Sequence, residues 1–226
     1  MKATVTHFRP SNQGRGEESR RRILEAALEM FAAEGYDGTS TRQLAEQAGV
    51  NLPAIQYYFG SKEGLFRAVI DSIVQHTEKH MSEITQHVRA ALARKNAPRE
   101  ELLELLCQML EAFVSLVTGG GQVESKRLLF ARAEVEDTPG LQHLHESGMR
   151  QVYEPCLALT ARLLGRSPED EITSLRALAL LGQVTIFCHK GVRHALKSAD
   201  FPPKRVAEIR GLVRAHTLAI FGALVP

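Results

Sequence analysis

The segment from residue 39 to residue 59 constrains the fold most, because it places signals for two short helices on either side of one glycine. Ser40 followed by Gln43 forms a capping box, which fixes the start of the first helix. Gly49 can supply the left-handed backbone conformation that a tight turn needs. We therefore predict a helix-turn-helix, in which the second helix spans about residues 52–59.

Apolar residues fall on the inward faces of both short helices. Leu44 and Ala45 face inward from the first helix, and Val50 and Ile55 face inward from the second. The small Ala45 allows the second helix to cross closely over the first. Asn51 is well placed to cap that second helix. The spacing alone is also compatible with an ordinary helical hairpin.

The remainder of the chain carries apolar residues at helical spacing and no alternating run typical of a strand. We predict an all-α fold of about nine helices. Residues 1–17 are expected to form a flexible basic arm, residues 18–66 a three-helix domain, and residues 67–226 a larger helical domain. Pro155 should kink or break a helix over residues 141–164. A further helix is predicted from Ser167 to about Lys197.

Charge identifies no partner by itself, because the chain has a net charge of only +2 and residues 1–66 hold eight basic and eight acidic side chains. The first 22 residues are locally basic. A basic arm of this kind often binds nucleic acid, although a tail that is simply exposed to solvent can have the same composition. If the arm meets DNA, Arg20, Arg21 and Arg22 would add affinity without sequence preference.

Composition also indicates the compartment. The longest apolar stretch, residues 177–188, is shorter than the roughly 18 residues that cross a bilayer, and no secretory signal is visible. We expect a cytoplasmic protein with no membrane partner. Cys107, Cys156 and Cys188 are expected to be reduced thiols, with a redox switch as the alternative.

Enzyme and metal-sensor functions are disfavoured by the motifs. Gly119-Gly-Gly121 lacks the lysine and the preceding strand of a phosphate-binding loop. His143 and His145 lie two residues apart, and Cys188 and His189 are adjacent, so neither pair shares a helix face. We predict no catalytic residues, no metal and no cofactor.

Four stretches of sequence together resemble the N-terminal domain of the TetR family of repressors. They are Ala26 to Tyr36, Thr39 to Ala45, Gly49-Val50 and Tyr57-Tyr-Phe-Gly-Ser-Lys-Glu-Gly-Leu65. The resemblance implies a regulator that binds an inverted-repeat DNA operator as a homodimer and is released by a small effector. In the C-terminal part, Leu128 to Glu134 is weakly similar to a TetR-type subgroup linked to drug sensitivity and efflux. That subgroup often carries Arg-Glu where this chain has Ala-Glu.

The second motif helix is expected to enter the major groove. Leu52, Ala54 and Gln56 are candidates to face the base edges, and Gln56 is able to pair with adenine. Tyr58 and Phe59 are expected to pack in the core.

Phosphate contacts are expected from side chains at the surrounding helix ends. Lys62 lies at the start of the next helix, where free N–H groups also bind anions. Tyr57 offers a hydroxyl to a second phosphate, and Arg42 can reach either a phosphate or a base edge. A third phosphate contact is expected from Thr39, Ser40 and Thr41.

The C-terminal domain is expected to hold the effector and the dimer interface. Residues 177–188 are apolar nearly all round, so a partner subunit is the natural cover, although an intramolecular core is the alternative. Together with the last helix they would form a four-helix interface. The effector would be a small apolar or aromatic compound. Its pocket residues are predicted to be Met109, Phe113, Val117, Phe130, Met149, Tyr153 and Phe187, each of which is also compatible with ordinary core packing.

Overall fold

A computed structural model describes residues 12–119, 122–133, 136, 139–196 and 201–223. Every regular element within these ranges is helical, which confirms the predicted all-α class. Nine of the helices in these ranges have seven or more residues, and four further helical segments are shorter. Backbone contacts divide the chain between Asp71 and Ser72, so the two parts are described separately.

The N-terminal part is built from three helices and the beginning of a fourth. They are α1 (Asn12–Gly38), α2 (Thr41–Gln47), α3 (Leu52–Phe59) and α4 (Lys62–Leu92). Helix α1 begins inside the segment for which an arm was predicted, and residues 1–11 of that arm lie outside the described residues. Because Gly14 and Gly16 lower helix propensity and no apolar period precedes them, the sequence did not indicate these first turns.

A small aromatic and aliphatic core joins these helices. Phe31 on α1 is fully buried and meets Phe66 edge-on, with ring centroids 4.9 Å apart. Tyr36 lies 5.1 Å from the same Phe66 ring. The helical conformation of α1 is interrupted at Gly35, whose φ of 78° and ψ of 175° lie in a region that glycine adopts readily and other residues avoid. This interruption lets the last residues of α1 turn toward α2.

The C-terminal part contains the remaining helices. They are α5 (Arg99–Thr118), α6 (Val123–Ala133), α7 (Pro139–His143), a π-helical turn (Leu144–Gly148), α8 (Met149–Leu164), α9 (Glu171–Thr185), a 3-10 turn (Ile186–Cys188), α10 (Lys190–Ala195) and α11 (Pro203–Gly222).

Helix α5 lies at the centre of this part and packs against α8, α9 and α11. Leu106, Met109 and Leu110 on α5 are fully buried in the core. At the start of α5, the Arg99 guanidinium donates to the carbonyl oxygens of Leu163 at 2.7 Å and Phe221 at 3.0 Å. These are the last turns of α8 and α11, whose carbonyls lack helical partners. Arg99 therefore ties two helix ends to α5.

Two helices of the C-terminal part differ from their predicted form, one in where it is interrupted and one in where it begins and ends. Helix α8 continues through Pro155, and the irregularity lies earlier, in the π-helical turn at Leu144–Gly148. The helix predicted from Ser167 to Lys197 begins at Glu171 and ends at Thr185. It is followed by a 3-10 turn, in which Phe187 packs edge-on against Phe201 at 6.2 Å between ring centroids.

Glu171–Cys188 is one segment of the described residues that is long and apolar enough to cross a bilayer. Its apolar side chains divide between two environments. Ala177, Leu180, Leu181 and Val184 are buried in the core of this chain, whereas Ile172, Leu175 and Leu178 are exposed. The length and apolar composition of one segment are therefore weak evidence for a membrane span.

Candidate DNA-binding surface and effector cavity

The two motif helices are capped as the sequence predicts. The Ser40 hydroxyl accepts a hydrogen bond from the Gln43 backbone N–H at 3.2 Å and donates to the Gln43 side chain at 2.6 Å. The Asn51 side chain accepts from the Ala54 N–H at 3.1 Å. Gly49 has a φ of 62° between the two helices. These contacts fix the start of α2, and the turn at Gly49 leads to the capped start of α3.

Helix α3 is divided into a buried face and an exposed face. Ile55 is 2% exposed and faces the core, whereas Gln56 is exposed and Tyr57 is 82% exposed. Leu52 is exposed as well, at 49%, and Ala54 is half-buried. An exposed face of this size without an obvious protein cover is suited to a DNA groove.

Thr39 is buried, so its side chain is not available for the phosphate contact that the sequence predicts. The side chain is 1% exposed, and its hydroxyl donates to the Gly35 carbonyl oxygen at 2.8 Å. It therefore stabilises the bend between α1 and α2 and does not reach solvent. Ser40 and Arg42 are exposed and Thr41 is half-buried, so these three stay candidates at the start of α2.

Tyr58 and Phe59 lie half-buried between α3 and α1. A side chain at Gly16 would place its Cβ 3.4 Å from the Tyr58 hydroxyl, so α1 passes close to this ring. The Arg20 guanidinium lies over the Phe59 ring, 5.4 Å from its centroid. Both aromatic side chains thus contact α1, as expected of packing residues.

Lys62 is the first residue of α4, and its ammonium lies 4.5 Å from the centre of the Tyr36 ring. The Ser61 hydroxyl accepts from the Gly64 N–H at 3.0 Å and caps the same helix. A cation–π contact of this kind holds the lysine stem while leaving the ammonium able to bind an anion. Lys62 is therefore held at a helix N-terminus, where positive charge and N–H groups coincide.

Three consecutive arginines of α1, Arg20 to Arg22, each have a partner within the protein. Arg22 donates to the Gly49 carbonyl oxygen at 2.7 Å and so fastens the motif turn to α1. Arg21 forms salt bridges of 2.6 Å with both Glu18 and Glu25. Arg22 therefore has a role within the protein, and the DNA contacts of the three arginines stay a prediction.

A cavity of about 240 Å³ lies in the C-terminal part, between α4, α5, α6, α8 and the turn after α9. Four of the seven residues predicted for the pocket line it: Phe113, Val117, Phe130 and Met149. Its apolar wall is completed by Ile73, Leu116, Ala131 and Val152.

The other three predicted pocket residues do not line this cavity. Met109 is fully buried among core residues, and Tyr153 and Phe187 pack against that core. Each lies on a helix or turn that contributes another residue to the cavity. Apolar composition therefore located the right elements, but only the packing decides which side chains face the empty space.

Sequence reasoning missed the basic side chains of the cavity wall, which are His76, Lys126, Arg127 and His189. Burial lowers the pKa of Lys126. Desolvation, followed by the positive charge of Lys126, lowers the pKa of His76 below its usual value of 6.5. No clear signal in the sequence marks Lys126 and Arg127, because basic residues in a helical pattern are ordinarily solvated and only the packing of α6 places them in the cavity wall.

Gly148 shapes the cavity wall at the π-helical turn. A Cβ at this position would lie 3.0 Å from Cζ of Phe130. That contact is shorter than side-chain packing normally allows. Any larger residue would require the Phe130 ring to shift by a few tenths of an ångström, so glycine lets the ring lie close against the turn.

The three cysteines are not disulfide-bonded. Burial raises the pKa of the Cys156 thiol to about 12 and that of the Cys107 thiol to about 11, so both are poor nucleophiles. Cys188 is half-buried and lines the cavity. No group of three His, Cys, Asp or Glu residues within the described part of the chain could hold a metal ion.

Two family models match the sequence. Residues 23–69 match the bacterial regulatory proteins of the tetR family. Residues 102–224 match the C-terminal domain of the HTH-type transcriptional dual regulator CecR. The second match covers more than half of the chain. It includes the cavity-lining residues of α5, α6, α8 and α9.

Similar proteins agree with these two matches. The HTH-type transcriptional dual regulator CecR of Shigella flexneri is 27% identical over 178 residues, which are 79% of each chain. The structure of FadR from Bacillus subtilis in complex with stearoyl-CoA has a TM-score of 0.56 at 15% identity, over 91% of this chain and 97% of FadR. AibR in complex with isovaleryl coenzyme A and operator DNA has a TM-score of 0.59 at 19% identity, over 86% of this chain and 96% of AibR.

Proposed function

Because the chain belongs to the TetR family of transcriptional regulators, which are DNA-binding proteins and not enzymes, we propose that it is a ligand-responsive repressor. It binds an inverted-repeat operator as a homodimer in the cytoplasm, and a small effector with an apolar or aromatic body releases it. The observation that carries this proposal is the exposed face of α3 beside the capped start of α4.

The exposed face of α3 supports reading of base edges. Gln56 presents an amide that can donate to and accept from one adenine, and Leu52 presents an apolar group suited to a thymine methyl. Tyr57 and Lys62 flank this face with a hydroxyl and an ammonium, which suits phosphate contacts on either side. Base contacts give sequence preference, and phosphate contacts give register and affinity.

An uncovered apolar stripe supports a homodimer. On α9, Leu175 and Leu178 are each 53% exposed, while the opposite face of the helix is buried in the core of the same chain. On α11, Leu212 is 53% exposed and Ile220 is 41% exposed. A second copy of this chain is the natural cover, because a dimer carries two α3 helices and an inverted repeat offers two matching half-sites.

The cavity supports regulation by an effector. It is lined by Ile73, His76 and Thr77 of α4, the helix whose first residue is Lys62. A ligand that binds better to one position of α4 than to another would shift the population of DNA-competent dimers. An effector is then a compound that binds the DNA-incompetent state more tightly than the competent one.

The test of operator recognition uses two variants with different expected results. Operator fragments are first selected from genomic DNA with the purified protein. Lys62→Met keeps the apolar stem over Tyr36 and should weaken binding to all sequences alike, with the salt dependence reduced by about one unit of slope. Gln56→Ala should relax preference at one base pair of each half-site, at a cost of about 1–3 kcal/mol.

The control for this test is Gln75→Ala, which changes an exposed residue of α4 outside both the α3 surface and the cavity wall. It should leave operator affinity and salt slope as in the unchanged protein. The proposed reading surface is wrong if Lys62→Met and Gln56→Ala behave like this control while all three proteins stay folded.

A further inference from the structure

Arg127 occupies an unusual environment in the cavity wall. Its side chain is only 11% exposed, and one Nη atom forms a salt bridge of 2.9 Å with Glu124. Its Nε and its other Nη atom are buried, and no hydrogen-bond partner for them is present among the described residues. Buried guanidinium N–H groups without an acceptor are costly, because they have lost water and gained nothing in return.

Lys126, the neighbouring residue, adds a second positive charge to the same wall. Burial lowers the pKa of its ammonium. His76 and His189 also line the cavity. Glu124 pairs with Arg127 from outside the cavity, and no aspartate or glutamate is among the described residues that line it.

The opposite wall of the cavity is apolar and partly aromatic. Phe113, Val117, Phe130 and Met149 supply most of that surface. A ligand that complements both walls has a hydrogen-bond acceptor at one end and an apolar body, and an anionic acceptor would form the stronger hydrogen bonds with these cations. A purely apolar compound would leave the buried N–H groups of Arg127 without acceptors.

We propose that the effector is a small carboxylic acid with an aromatic or short aliphatic body, and that its carboxylate binds Arg127 with Lys126 beside it. This inference rests on the proposed function and specifies the chemistry of the effector. A planar carboxylate can accept two parallel hydrogen bonds from one guanidinium, whereas a lysine ammonium cannot offer this paired geometry.

The volume of the cavity limits the size of this acid. A closed apolar cavity of about 150 Å³ accommodates benzene. The cavity here, about 240 Å³, therefore has room for one aromatic ring with a short carboxylate side chain, or for an aliphatic acid of about eight carbons. A coenzyme A thioester is much larger, and its thioester carbonyl carries no charge to pair with Arg127.

The test compares acids with their uncharged amides on the full-length protein. Binding of 3-phenylpropionate, octanoate, 3-phenylpropionamide and octanamide is measured by isothermal titration calorimetry at pH 7.5. We expect each acid to bind at least tenfold more tightly than its amide. This comparison needs no variant, so it does not depend on any substitution being tolerated.

Three variants then assign the preference to residues. Arg127→Met should reduce the acid-to-amide ratio to about one, and Lys126→Met should reduce it at least threefold. Arg127→Lys keeps the charge without the planar fork and should restore part of the preference. The matched control is Arg150→Met, because Arg150 is an exposed arginine of α8 that pairs with Glu154 outside the cavity.

Several results would overturn the carboxylate site. They are equal binding of acids and amides, an unchanged ratio in Arg127→Met, binding of octanoyl-CoA but not of octanoate, or no binding by either acid. Operator binding is measured in parallel on the unliganded protein. Retained operator binding alongside any of these results would reject the carboxylate site while leaving the proposed DNA-binding function intact.

Discussion

Gly64 illustrates how closely the backbone of the motif is packed. A Cβ at this position would lie 2.1 Å from the Phe59 carbonyl oxygen at the end of α3. No rotation of a side chain can relieve that contact, because the obstructing atom belongs to the backbone. The glycine in the sequence Ser61-Lys-Glu-Gly64 is therefore a steric requirement for joining α3 to α4.

We predict that Gly64→Ala destabilises the N-terminal part by about 2 kcal/mol or more, as expected when a well-packed site is overfilled. Chemical denaturation followed by circular dichroism measures the change in unfolding free energy, and operator binding should weaken with it. Gly211→Ala is the control, because no described atom lies within 4 Å of a Cβ built there. It should be neutral or stabilise α11 by up to about 1 kcal/mol. Equal stability of the two variants would contradict the steric argument.

At the residue scale, the sequence predicts local contacts better than tertiary ones. The caps at Ser40 and Asn51 were predictable, since each involves a backbone N–H within three residues. The burial of Thr39 was not, because it depends on where the interrupted end of α1 lies. Arg127 was missed for the same reason. A basic residue in a helical pattern is ordinarily solvated, and only the packing of α6 reveals its burial.

At the scale of elements, α9 has two apolar faces with different partners. Thr173, Ala177 and Val184 face the core of the chain. The other face carries Leu178, which is 53% exposed, and Gly182. A Cβ at Gly182 would point into open space, because no other described part of the chain lies within 4 Å of its position. A glycine on an exposed helix face costs helix stability without serving the fold of the single chain. A close approach by another helix would explain it.

We predict that Gly182→Leu leaves the single chain folded and weakens the dimer at least tenfold, because a leucine would occupy the space of the partner helix. Light scattering and sedimentation over a range of protein concentrations measure the mass and the dissociation constant. Gly191→Leu on α10 is the control, since a Cβ there also meets no described atom within 4 Å. The interface is elsewhere if Gly182→Leu remains as dimeric as the control, and the dimer proposal fails if the unchanged protein is monomeric at micromolar concentration.

The same contrast between local and tertiary signals holds for whole elements. Helix starts at Ser40, Asn51 and Pro202-Pro203 were predictable from caps and prolines. The π-helical turn before α8 and the 3-10 turn after α9 were not. These irregularities follow from side chains packed on other helices, such as the contact of Phe130 with Gly148 and that of Phe187 with Phe201.

For the molecule as a whole, α4 is the element common to the two proposed sites. Its first residue, Lys62, belongs to the proposed DNA surface, and His76, fourteen positions later, lines the cavity. An anionic effector near His76 and Lys126 changes the charge balance beside this helix. The effector should therefore couple operator release to the protonation of the groups that face it.

His76 is the group whose protonation is most sensitive to such an anion. Desolvation and the charges of Lys126, His80 and Lys79 hold its pKa below 6.5, and Arg127 and His189 line the same cavity. A carboxylate in the cavity opposes these positive charges and raises the pKa of His76. By linkage, the effector binds more tightly when His76 is protonated. Its affinity should rise as the pH falls through the pKa of His76 in the complex and stop rising below the pKa of His76 in the free protein.

We predict that an acid such as 3-phenylpropionate releases the operator at lower concentration at pH 6 than at pH 7.5, by about threefold to tenfold. At alkaline pH its potency should fall again, because the lowered pKa of Lys126 lets that ammonium lose its charge earlier than an exposed lysine would. Fluorescence anisotropy of a labelled operator measures release across the pH range. His76→Gln should abolish the gain at acidic pH and keep the alkaline loss, whereas His87→Gln, at an exposed position of α4 outside the cavity wall, should change neither. A pH profile of release that is identical in His76→Gln and the unchanged protein would show that His76 does not sense the effector.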